Sequence, residues 1–103
     1  MTVLMEFSLT PLDKGESVSP YVARSLDIID KSGLPYKLGP MGTTVEGEWD
    51  EVLAVVTDCL TKMQSDCKRV SISMRADVRT GKQGRLKGKI ASVEKKLGRK
   101  LTV

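Results

Sequence analysis

The chain has 103 residues, 40% hydrophobic and 29% charged, with 4% aromatic, no histidine and a formal net charge of +4. That size and balance suit one globular domain over residues 1–103 with an aliphatic, methionine-rich core, and they argue against disorder. No run approaches the roughly 20 apolar residues of a membrane span, and the start lacks a signal peptide's basic and apolar blocks, so a cytoplasmic protein without a membrane partner is expected.

Val3 to Thr10 alternates, with Val3, Met5, Phe7 and Leu9 on one face and Leu4, Glu6, Ser8 and Thr10 on the other, which predicts a half-buried strand. PLDKGES reads as a loop. Ser17 or Ser19 then offers a helix cap, with Pro20 tolerated in the first turn. Val22, Leu26 and Ile29, helped by Val18 and Tyr21, form the apolar stripe of that helix, and Gly33 ends it.

Pro35 to Leu38 and Thr43 to Glu48 predict a hairpin interrupted at GPMG. Glu48 or Asp50 opens a second helix favourably for its dipole, and Val52, Val55, Val56, Cys59, Leu60 and Met63 repeat at helical spacing. Arg69 to Arg79 alternates strictly, with Val70, Ile72, Met74, Ala76 and Val78 opposite a polar face. After TGKQG, Leu86, Ile90, Val93 and Leu97 mark a third helix ending near Gly98. The order β-α-β-β-α-β plus one helix predicts an α+β, ferredoxin-like sandwich: two helices cover one face of a four-stranded antiparallel sheet, with the first and third strands central.

The chemistry on offer is limited. Without histidine, and with no carboxylate pair beside a nucleophile, an enzyme is not expected, nor is a cofactor. Cys59 and Cys67, eight apart, fit neither zinc nor redox spacing and read as structural thiols. Gly39, Gly42 and Gly47 match neither the Walker nor the dinucleotide spacing and read as turn and strand-end glycines. Basic residues crowd the segment from Lys82 to Lys100, where Glu94 is the sole acid, as a solvated helix face or a partner surface. RNA-recognition modules share this element order but stack bases on central-strand aromatics, which the polar face here lacks, so nucleic acid is not an expected partner.

The string GTTVEGEW, with SPYVARSLDIIDKSGLPYKLGP before it and RVSISMRADVR and KIASVEKKLG after it, resembles the small thiamine-binding-protein family over nearly the whole length. The resemblance implies a ferredoxin-like subunit with an extra C-terminal helix, assembled through its sheets as a homodimer or homotetramer. It also implies non-enzymatic binding of thiamine or its hydroxymethylpyrimidine part.

An aminopyrimidine presents ring acceptors and an amino donor, which Ser8, Thr43, Thr44, Ser73 and a carboxylate such as Glu6 or Glu46 can satisfy. A thiazolium cation favours a carboxylate or the face of Trp49, although that ring also suits a cap over the core. Arg69, Arg75, Arg79 and Lys82 lie on or just beyond one face of the fourth strand and form a candidate anion-binding group for sulfate or phosphate. The alternative reading is a regulatory or scaffold oligomer that responds to an anionic effector at a subunit interface.

Overall fold

A computed structural model describes residues 1–81 and 84–103, with elements β1 (Thr2–Pro11), α1 (Ser19–Lys31), β2 (Tyr36–Leu38), β3 (Thr43–Glu48), α2 (Trp49–Gln64), β4 (Val70–Arg79) and α3 (Arg85–Leu97). The strands form one antiparallel sheet in the order β2-β3-β1-β4, with β1 and β3 central, and this is the ferredoxin-like arrangement expected. Phe7 pairs with Thr43 and Thr2 with Glu48, so β3 runs back along the first part of β1, its Thr43 end at Phe7 and its Glu48 end at Thr2.

The alternation of β1 decides which face is dry. Val3, Met5, Phe7 and Leu9 are buried under α1 and α2, where they meet Ile29, Val45, Val52, Val55, Val56, Cys59 and Met63. Burying such side chains contributes roughly 1.5–3 kcal/mol each, which is what holds the two helices on the sheet. Burial also pushes the Cys59 thiol up to about 11, so it is an inert packing group. Cys67 is buried and free as well.

Helix starts differ in detail from expectation. Neither Ser17 nor Ser19 caps α1, whose N-cap is Val18 without a side-chain bond; Pro20 occupies the first turn. Packing and the proline, rather than a hydroxyl, set where α1 begins. Glu48 does open α2, with its N–H donating to Glu51 Oε1 at 3.3 Å.

Arg24 on α1 makes a paired 2.7 Å contact to both carboxylate oxygens of Asp66, just past α2. That contact holds the Asp66 carboxyl down to about 2, so its contribution is present above the ordinary carboxylate range and is lost as pH falls through about 2. Thermal melts between pH 5 and 2 should therefore show a steeper loss of stability for the native protein than for Asp66→Asn. Equal slopes would mean that the pair contributes nothing. The pair is partly solvated, so a modest difference is expected.

β4 departs most from the simplest reading of its pattern. Its alternation is real, and Ile72, Met74, Ala76 and Val78 share the helix side with Leu9, Phe7, Met5 and Val3. Yet Ile72, Met74 and Val78 remain 39%, 51% and 43% exposed. The helices pack over β1, β2 and β3, and β4 lies at the sheet edge beyond their cover.

Candidate functional site

A concavity lies toward the C-terminal end of β1, between α1 and the loop joining β2 to β3. It measures about 330 Å³ and is walled by Phe7 and Leu9, by Val18 at the N-cap of α1 and Val22, Leu26 and Ile29 within it, and by Gly39 to Thr43. Ser8, Thr10, Ser25 and Thr43 are its polar residues. A mostly apolar cleft of this size with a few fixed polar groups matches the usual make-up of small-molecule sites.

Each wall has a local cause. The stripe predicted for α1 is only half spent on the core: Ile29 is buried, while Val22, two turns earlier, is 37% exposed and faces the cavity. The opposing loop is pinned by Gly39 N–H donating to the Gly42 carbonyl at 2.9 Å. A Cβ on Gly39 would sit 3.1 Å from that oxygen, and one on Gly42 would sit 3.2 Å from the Phe7 carbonyl and 3.3 Å from Glu6 Cγ. Neither glycine has a positive φ. These glycines serve close approach of the loop to β1 rather than an unusual turn conformation.

The structure separates the residues expected in one ligand site into groups. Ser8 and Thr43 are among the residues around the cavity, and the Glu6 side chain approaches Gly42 of its loop. On the face away from α1 and α2, Glu6 lies between Thr44 and Arg75, and Ser8 lies beside Ser73. Thr44 also borders a second groove, under α3, with Leu4, Leu86, Ile90 and Val93. Glu6, Ser8, Thr44, Ser73 and Arg75 thus form a continuous polar shelf around one corner from the cavity.

Glu46 and Trp49 are not part of this arrangement. The register places Glu46 toward the far end of β3, opposite Leu4, and Trp49 just beyond that strand packs on the core, its backbone N–H donating to the Met1 carbonyl at 3.1 Å. The Glu46 carboxylate is 6% exposed and already occupied: it accepts the Arg85 N–H at 2.9 Å and the Leu86 N–H at 3.4 Å, capping α3 from the sheet. A carboxylate so engaged is structural.

Arg85 is the residue that sequence reading missed. It is 7% exposed, donates to the carbonyls of Thr2 at 3.2 Å and Asp77 at 2.7 Å, and pairs with the Asp77 carboxylate at 3.0 Å. With Glu46 it bolts α3 to the open sheet face. The signal lay in Gly84-Arg85: this helix begins without a Ser, Thr, Asp or Asn cap, so an acceptor had to come from elsewhere in the fold.

Of the candidate anion group, Arg75 and Arg79 are exposed on the open face of β4 and Arg69 just precedes the strand. Lys82 lies outside the described residues. Among the described residues none of these three arginines has an acid within ion-pair distance. No described helix is long and apolar enough to cross a membrane.

The family model for thiamine-binding protein matches residues 5–94, spanning the cavity, the shelf and most of α3. The chain belongs to the thiamine-binding protein family. A UPF0045 protein of Mycobacterium bovis is 38% identical over 98 residues, covering 94% of this chain and 96% of that protein. The crystal structure of a hypothetical protein from Methanocaldococcus jannaschii, 33% identical, superposes with a TM-score of 0.82 over 89% of this chain and 95% of that one. A candidate thiamine biosynthesis or salvage protein of Thermotoga maritima, 22% identical, has the same fold, with a TM-score of 0.79 over 90% and 99% of the two chains.

Proposed function

We propose that this member of the thiamine-binding protein family binds thiamine, or its hydroxymethylpyrimidine half, without transforming it, in the cavity under the Gly39–Gly42 loop. The observation that carries the reading is the coincidence of a family match with a cleft of about 330 Å³ whose apolar walls are broken by a few hydroxyls. The aromatic pyrimidine would lie between Leu26, Val22 and Phe7, with Thr43, which shares the face of Phe7, meeting its polar edge. Glu6, whose side chain approaches Gly42 of the cavity loop, offers a carboxylate for a cationic thiazolium. Among the described residues no titratable side chain lines the cavity, which favours binding over turnover.

Isothermal calorimetry with thiamine, hydroxymethylpyrimidine and thiamine monophosphate tests this directly. Saturable heat with thiamine that persists with the pyrimidine alone is the expected result. Absence of heat with all three would retire the ligand while leaving the fold as described. A second reading, an oligomer responding to an anionic effector, draws on the exposed Arg69, Arg75 and Arg79. It requires a change in light-scattering mass on adding phosphate compounds.

A further inference from the structure

The cavity beside the Gly39–Gly42 loop holds two hydroxyls that the fold itself does not use. Ser25 is 8% exposed and Thr43 5%, yet neither hydroxyl has a hydrogen-bond partner among the described residues, and neither oxygen is sealed inside the packing. Both residues border the cavity. Ser32, Thr57 and Ser65, at or within helices, all donate their hydroxyls to backbone carbonyls three or four residues back. Ser25 has the Tyr21 carbonyl in that relation on α1 and does not take it. A hydroxyl withdrawn from water without a partner costs free energy, so two of them facing one cleft mark a place where a ligand supplies the partner.

The two hydroxyls come from different walls. Thr43 stands on β3 opposite Phe7 and shares its face. Ser25 stands on α1 one turn before Ile29, and its carbonyl accepts the Cys59 thiol of α2 at 3.7 Å, which holds that stretch of backbone against the core. Ser8 and Thr10 alternate with Phe7 and Leu9 along β1, so their side chains belong to the other face of the sheet. The remaining side chains around the cleft are apolar and none is titratable. Such walls disfavour a charged group and leave two separate polar contacts for an uncharged ring.

We propose that Ser25 and Thr43 are the specificity-determining residues of the cavity: Ser25 accepts a hydrogen bond from an amino group on an uncharged heterocycle, and Thr43 donates one to the ring nitrogen farther from that amino group. The assignment follows from what each hydroxyl can do with its own proton. Ser25 can turn its proton to the Tyr21 carbonyl, which leaves its lone pairs for an N–H donor. Thr43, on a strand, has no helical carbonyl in that relation, so its proton is left for a ring acceptor. The inference rests on the small-molecule reading above and adds to it which atoms of the ring are read, and by which side chains.

Two measurements test it. In the free protein Ser25→Ala removes a hydroxyl that bonds to nothing and installs the better helix former, so its melting temperature should fall by no more than about 3 °C and can rise. A larger fall would mean that the hydroxyl is bonded within the fold, which overturns the inference. Calorimetry then compares thiamine with oxythiamine, in which an oxo group replaces the amino group of the pyrimidine. The native protein should prefer thiamine by about tenfold or more, and Ser25→Ala should reduce that preference to about threefold or less. Thr43→Val should weaken both compounds by a similar factor and keep the preference. Thiamine binding by the native protein with a preference unchanged in Ser25→Ala, or with no preference at all, overturns the roles given to these hydroxyls and leaves the cavity reading standing. No heat from the native protein with either compound overturns the cavity reading and this inference together.

Discussion

Replacing Glu46 by alanine is expected to lower stability by about 2–3 kcal/mol and the melting temperature by roughly 10–20 °C. The carboxylate is buried and accepts two N–H groups at the start of α3, a helix that has no capping side chain of its own. Its loss leaves the buried Arg85 N–H and the partly buried Leu86 N–H without this acceptor and removes a negative charge from the positive end of the helix dipole. Arg85 would then hold α3 alone, through the carbonyls of Thr2 and Asp77. Glu46→Gln keeps one oxygen acceptor and should lose only about half as much. Urea melts give the free energies, and amide exchange shows whether protection is lost first in α3. Unchanged stability in Glu46→Ala would mean that α3 is held mainly by its apolar contacts, and would return Glu46 to the candidate ligand residues.

The second large effect is on binding. Val22→Trp should reduce thiamine affinity more than tenfold, a loss exceeding about 1.4 kcal/mol, with the melting temperature within a few degrees of native. Val22 is 37% exposed and forms part of the cavity wall without belonging to the buried core, so an indole there can occupy the cleft without displacing Ile29 or Phe7. Native affinity in a folded Val22→Trp protein would place the ligand elsewhere, and the shelf of Glu6, Ser8 and Ser73 would be the next surface to test. The two substitutions separate cleanly, because Glu46 and Val22 lie at opposite ends of the sheet and share no partner.

The two experiments also separate the frame of the fold from the surfaces it carries. α1, α2 and the inner face of β1 are committed to the core. The Gly39–Gly42 loop, the open face of β1 and the edge strand β4 lie outside that core, and they adjoin one another around Ser8 and Ser73. A change at one of these surfaces can therefore reach another without passing through the core.

Periodicity alone determined most of the architecture. The alternation of Val3 to Thr10, the helical spacing from Val52 to Met63 and the strict pattern from Arg69 to Arg79 each followed from the repeat of the backbone itself, and all appear in the fold. The family was legible too, in GTTVEGEW and its flanking segments. Tertiary structure decided how the candidate residues group, because strand register sets which of them are neighbours. Thr43 and Trp49 are near in sequence but belong to opposite ends of a strand, whereas Ser8 and Ser73 are far apart in sequence and adjacent in the sheet. It also decided the fate of Glu46, whose carboxylate meets α3 only once the helix folds back across the sheet. The exposed apolar side of β4 follows from the same cause: a strand's pattern records which side chains share a face, but strand order determines whether anything covers that face.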